Sequence, residues 1–303
     1  IDTHQKNSYK NGHFMNWEVI KDKDGKSGTG NWGGFDLSLD EVMEAAASWK
    51  RQIGNEKKLW LCWNISHRWS LLQQRMVLDA GWTPVVGHDP NCRPESLATL
   101  PGAIFVDFGK ELKLKAVWPH FPLEFSFLWA PKLAFWHADL LMPMEKMHKY
   151  AAQFDALENG QIAAVHSTGG LRHFFNRKTH RYWELLGCTT EEASRDQFEK
   201  GCGWWRHFHS HPNGPANEKA ERAAYWYDSG VGISYWEQRY KKKVIRLKER
   251  DLIAGHFSEI GYKNYKKSSH KGLELDLNFN LDVVAAKMDL AQMLRLTRQE
   301  SEM

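Results

Sequence analysis

The sequence predicts an α/β protein whose central sheet is mostly parallel and flanked by helices. Three observations predict it. Short apolar runs of strand length recur between helical stretches, at 59–64, 81–87, 103–107, 133–136 and 162–166, which is the spacing of βαβ units. These runs are apolar nearly throughout rather than alternating, as in strands covered on both faces. With 303 residues, 42% hydrophobic and 26% charged, the chain is long and apolar enough for one large domain of this kind.

Taken in order, residues 1–35 are polar and glycine-rich, most clearly from Lys26 to Gly34, and predict an irregular arm. Residues 36–51 carry Leu39, Val42, Met43, Ala46 and Trp49 at helical spacing. A strand at 59–64 leads into a helical segment through Gln73, Gln74, Arg75 and Val77. A second strand, 81–87, ends in the turn His88-Asp89-Pro90, and a third spans 103–107. The apolar run from Leu133 stops at His137 and Asp139 and resumes at Leu140. A helix over 144–157 and a strand over 162–166 follow, broken by Gly169-Gly170. Residues 174–186 are aromatic and interleaved with Arg177, Lys178 and Arg181; 239–250 are strongly basic; 281–296 read as helix. The expected organisation is an arm (1–35), an α/β domain (36–280) and a helical tail (281–303).

Composition narrows the partners. A net charge of +4 permits nucleotides or nucleic acids without demanding them. Cys62, Cys92, Cys188 and Cys202 lie far apart with no CxxC spacing, the usage of reduced cytoplasmic thiols. No apolar run approaches the ~18 residues of a membrane span, and no secretory-type leader is legible, so a cytoplasmic protein without a membrane partner is expected. The 15 tryptophans are a high count; many are expected in the core, and Trp also offers flat faces for stacking sugars or bases.

Several groups could carry chemistry. Residues two apart in a strand point to the same side, so His137 and Asp139 would face one cleft, where a carboxylate beside a polar donor can hold a divalent metal against a phosphate. Trp63-Asn64, Asp89 and Asp107 follow strands, at the rim where open α/β sheets bind nucleotides; turn formation is the alternative. Gly169 and Gly170 permit close backbone approach to a ligand. Asp196 lies in a polar triplet ahead of Trp204-Trp205-Arg206, and His256 stands alone between Gly255 and Phe257. His207, His209 and His211 would converge on zinc only if extended, and no fourth ligand sits at a standard spacing. The run around Lys241, Lys242 and Lys243, interleaved with Tyr240, Tyr262 and Tyr265, reads either as a solvated face or as a nucleic-acid groove.

The order His137-Ala138-Asp139, Gly169-Gly170, Ser194-Arg195-Asp196, His256 resembles the GT-A fold glycosyltransferases, in which a DxD-type motif, a glycine-rich loop, an xED-type motif and a late histidine follow one another. The resemblance spans about 59–265, with His137 in place of the usual first acid and Ser-Arg-Asp in place of xED. More narrowly it resembles the TET-associated glycosyltransferases, viral and fungal enzymes that sugar-tag hydroxymethylated DNA bases. It implies a GT-A-like Rossmann-type domain, with Asp139, His137 and His256 holding Mn²⁺ or Mg²⁺ and Asp196 as catalytic base with inversion. It also implies a nucleotide-sugar donor, UDP-linked by preference, docked by Trp63, Asn64, Asp89, Asp107, Gly169 and Gly170. The acceptor, 5-hydroxymethylated cytosine or uracil in DNA, would meet Trp204, Trp205, Arg206, Lys241, Lys242 and Lys243. The setting would be cytoplasm, including that of a virus-infected host. Two other readings stay open: a glycosyltransferase acting on surface or lipid-linked glycans, and a non-catalytic nucleic-acid-binding α/β module.

Overall fold

The computed structural model describes residues 15–16, 36–64, 66–88, 99–114, 117, 119–167, 175–205, 208–225, 228–256 and 281–302. A two-residue antiparallel ladder pairs β1 (Met15–Asn16) with β2 (Asp36–Leu37). Seven strands then build one sheet: β3 (Leu59–Asn64), β4 (Thr83–His88), β5 (Ile104–Phe105), β6 (Lys132–Trp136), β7 (Ile162–Ser167), β8 (Arg181–Thr190) and β9 (Val244–Lys248). Their order is β5-β4-β3-β6-β8-β7-β9. All run parallel except β8, which opposes both its neighbours.

The helices are α1 (Leu39–Ile53), α2 (His67–Asp79), α3 (His120–Glu124), α4 (Met144–Asp155), α5 (Glu191–Glu199), α6 (Lys219–Arg222) and α7 (Val231–Arg239), with a C-terminal pair at 281–287 and Ala291–Glu302. Helix α1 begins at Leu39, three residues into the expected segment 36–51, and runs two residues beyond it. Ser38 caps it, accepting from the Glu41 amide while Glu41 accepts from the Ser38 amide, and this reciprocal pair fixes the first turn.

The apolar strands are covered on both faces, and strand alternation divides the core in two. Leu59, Leu61, Trp63, Leu133 and Phe135 face one layer with Trp49 of α1, Phe198 of α5 and Trp236 of α7. Trp60, Cys62, Ala134 and Trp136 face the other, with Trp69 and Met76 of α2 and Phe154 of α4. The C-terminal pair belongs to this second layer: Leu281, Val284, Met288 and Leu290 are buried in it.

Two departures from the sequence expectation matter for the site. The stretch at 174–186 contains the start of β8, a strand whose mixed aromatic and charged residues hide its pattern. The basic run is β9 with its flanks. Several of its cations are matched by acids: Arg246 pairs with Glu237, Arg239 with Glu218, and Lys242 with Asp196.

Chain direction gathers the chemistry. From β3 the chain winds outward through β4 and β5, then returns to β6 on the other side of β3. That reversal makes the carboxyl ends of β3 and β6 the topological switch point of the sheet, the position where open α/β sheets bind ligands. Asn64, Trp136, Ser167 and Lys248 end their strands at this edge, whereas the antiparallel β8 begins here, at Arg181, and ends at the far edge beside Lys132.

Candidate functional site

At the carboxyl end of β6 the strand stops at Trp136 and the chain folds into a turn closed by Leu140 N–H donating to the His137 carbonyl (3.1 Å). His137 and Asp139 therefore share a cleft through a turn rather than through strand alternation. Gln73 of α2, fully buried, clamps this turn from below: its Nε2 donates to the carbonyls of His137 and Leu140, both at 2.9 Å.

His256 arrives from the other end of the domain. After β9 the chain returns across the edge, Leu141 N–H donates to the Gly255 carbonyl (3.0 Å), and Leu140 bridges to His256. Only glycine fits at 255, because a Cβ there would lie 1.9 Å from the Leu141 carbonyl oxygen. The approach seats His256, almost wholly buried, against the turn.

The three side chains converge. His137 Nδ1 lies 3.0 Å from His256 Nε2, His256 Nε2 lies 3.3 Å from Asp139 Oδ1, and His137 Nδ1 lies 3.7 Å from Asp139 Oδ1. Among the described residues this is the one group of three potential ligands whose donor atoms all approach within 4.8 Å. Ligands each about 2.1 Å from one ion lie about 3.0 Å apart at right angles and about 3.4 Å apart at the tetrahedral angle, so the spacing fits a single divalent ion. Burial pushes the Asp139 carboxyl up, but the His256 and His137 imidazoles more than offset this and hold it below its usual range. The carboxylate is thus ready to ligate.

Behind His137 stands Glu184 of β8. Its Oε1 accepts from His120 Nε2 (2.7 Å), its carboxylate accepts from Ser229 Oγ (3.2–3.3 Å), and Oε1 lies 3.7 Å from His137 Nε2. Burial pushes this carboxyl up, yet His120 and then His137 keep it well below the ordinary carboxylate range. A local irregularity aims it: Ala164 pairs with Gly187 but Val165 with Trp183, so Glu184, Leu185 and Leu186 have no partner on β7. Bulges of this sort re-aim side chains beside sites. Glu184, His120, Ser229 and Gln73 were not identified from the sequence. The one available signal was a single carboxylate inside the otherwise apolar stretch Trp183-Glu184-Leu185-Leu186.

Of the residues expected to bind a donor, Asn64 ends β3 at the switch point, fully buried, with neither amide atom hydrogen-bonded to any described residue. A buried amide left so is costly unless a ligand or water completes it. Asp107 follows β5, two strands from β3 and three from β6, and accepts from the Gly109 amide (3.2 Å), forming a turn. Trp63 is corrected: it packs inward, stacked on Phe108 with centroids 6.1 Å apart, and presents no face to a nucleotide. Asp89, Gly169, Gly170 and Arg206 lie outside the described residues.

The acceptor residues are corrected as well. Trp204 and Trp205 are core, Trp204 meeting the Phe135 ring edge-on at 4.8 Å. Lys241, Lys242 and Lys243 precede β9, so the strand's length, roughly 16 Å at about 3.3 Å per residue, separates them from the carboxyl edge. Asp196 is not in the cluster either. It sits in α5, bound by Lys200, by Trp236 Nε1 (2.7 Å) and by Lys242 (3.2 Å), which is a structural anchor between α5 and α7. Of the histidine triplet, His207 lies outside the described residues, and His211 is buried against Glu124 (3.1 Å) and accepts from the Asn213 amide.

No protein-family model matches the chain, and neither a curated protein nor a solved structure does. Among the described residues no helix is long and apolar enough to cross a membrane.

Proposed function

We propose that the chain is a metal-dependent glycosyltransferase that moves a sugar from a nucleotide-sugar donor, a UDP-sugar first, to a hydroxyl acceptor. One observation carries the reading: a metal-competent His137–Asp139–His256 cluster stands at the switch point of an open α/β sheet, beside the Asn64 amide, which has no hydrogen-bond partner among the described residues. The switch point is where such sheets bind nucleotides. A bound divalent ion would there neutralise the diphosphate leaving group. Two imidazole nitrogens and one carboxylate suit Mn²⁺ better than Mg²⁺, which prefers oxygen ligands and water. Asn64 would hydrogen-bond the donor, and Gln73 would keep the 137–140 turn in register beneath it.

The structure supplies no support for Asp196 as the base, so inversion is not part of the proposal. A 5-hydroxymethylated pyrimidine in DNA stays the first acceptor to test and a glycan the second, both without the lysine run as contacts. The same donor set also holds iron in non-haem oxygenases; the nucleotide-binding position in the sheet is what favours transfer. The test is release of nucleoside diphosphate from a panel of sugar nucleotides, with Mn²⁺ or chelator and with or without hydroxymethylated duplex DNA. Metal-dependent release from one donor is expected. Absence of release from every donor would overturn the reading.

A further inference from the structure

We infer that Glu184 is a positioning residue for the metal centre, fixing His137 so that Nδ1 faces the ion and Nε2 faces protein, with His120 holding Glu184 in place. The inference rests on the metal reading above and adds residues that lie outside the ligand set. His137 has two ring nitrogens, and their surroundings differ. Nδ1 lies 3.0 and 3.7 Å from the other two ligand atoms, while Nε2 lies 3.7 Å from Glu184 Oε1. A neutral imidazole carries one proton, and a carboxylate beside Nε2 draws it there, which leaves the Nδ1 lone pair for the metal.

The construction around Glu184 supports a dedicated role. Three residues of β8 leave the β7 ladder to place it. Arg181 pairs with Asp228, and the following Ser229 donates to the Glu184 carboxylate. Gly230, in the left-handed region (φ 72°), accepts from the Tyr182 amide at 3.1 Å, where a Cβ would collide with the Tyr182 carbonyl. His120 reaches the same carboxylate from α3. So β6, β8, α3 and the turn before α7 meet at one carboxyl group.

The experiment is Co²⁺ binding to the full chain, read by calorimetry and by the visible d–d bands that report an ion in a nitrogen and oxygen environment. Asp139→Ala is the control for stray binding. Glu184→Gln keeps the shape and removes the charge; in a folded variant, verified by its melt, it is expected to weaken Co²⁺ binding about 10- to 100-fold and to shift the bands. Glu184→Asp is expected to recover part of the affinity, because the charge returns at a shorter reach. His120→Asn, which leaves the carboxylate but loosens its hold, tests the same point if Glu184→Gln does not fold; it is expected to weaken binding by a smaller factor. Wild-type affinity and bands in Glu184→Gln, or in His120→Asn where that variant stands in, would overturn the inference and leave the metal site standing. Failure of the wild-type chain to bind Co²⁺ in an Asp139-dependent way would overturn the metal reading itself and the inference with it.

Discussion

Gly255 offers a test of the metal centre at a residue that contributes no ligand. In Gly255→Ala the new Cβ would start 1.9 Å from the Leu141 carbonyl oxygen, and ordinary contact begins near 3.4 Å, so the segments must part by about 1.5 Å. Retreat on another side is limited by Met288 Sδ, 3.1 Å away. The separation breaks the Leu141-to-Gly255 hydrogen bond and drags His256, the next residue, away from partners now at 3.0 and 3.3 Å. Metal bonds tolerate only about 0.2 Å, so even a fraction of that shift removes a ligand. Mn²⁺ affinity should fall at least ~100-fold, beyond the 10–100-fold typical of losing a residue behind a ligand. Overpacking should cost about 1–3 kcal/mol of stability, a few degrees in Tm. Titration calorimetry with Mn²⁺ and a thermal melt check both. A Gly255→Ala protein that binds Mn²⁺ as tightly as wild type would refute the claim that this close approach seats His256.

Three further outcomes follow from the placement of residues. Replacing Lys241, Lys242 and Lys243 together by Ala should leave donor hydrolysis within about twofold of wild type in steady-state assays, because they stand at the opposite edge of the sheet; a collapse of activity would contradict that placement. Asp196→Asn should keep metal-dependent activity but lose stability. Burial raises the Asp196 carboxyl, yet Lys200, Trp236 and Lys242 more than offset this and lower it. Its stabilising contribution is therefore full above the ordinary carboxylate pKa of about 4 and vanishes as pH falls through the depressed folded value. The stability gap between wild type and Asp196→Asn in urea should close on acidification, and a pH-independent gap would argue against the ion pairs. Arg222→Ala should cost about 3–5 kcal/mol in urea unfolding, since this buried guanidinium donates to the Gly201 and Lys200 carbonyls and to Glu218; a loss below 1 kcal/mol would contradict that role.

The fold and the site were legible in the sequence to different degrees. Uniformly apolar runs mark β3, β6 and β7 because strands covered on both faces have no polar side to show. β8 escaped because the half near the carboxyl edge carries Arg181, Trp183 and Glu184, whose roles are set by partners far along the chain. His137 and Asp139 were visible as polar interruptions in apolar surroundings, whereas His256, more than a hundred residues away, joined them only through a resemblance of order. Glu184 and His120 were not visible, since nothing local distinguishes a buried carboxylate that steadies a ligand from one on a surface. Composition misled at Trp204, Trp205 and Trp63: aromatic abundance cannot separate a stacking platform from a core. The lysine run misled likewise, because linear clustering of cations says nothing about which acids will face them.

The most direct measurement is Mn²⁺-dependent release of nucleoside diphosphate from sugar nucleotides by the wild-type chain and by Asp139→Ala. The account predicts release from one donor by the wild type, abolished by chelator and reduced at least ~100-fold in Asp139→Ala, whose fold is verified by its melt. Undiminished release by Asp139→Ala, or no release by the wild type from any donor, would contradict the claim that this cluster is the catalytic metal centre of a glycosyltransferase.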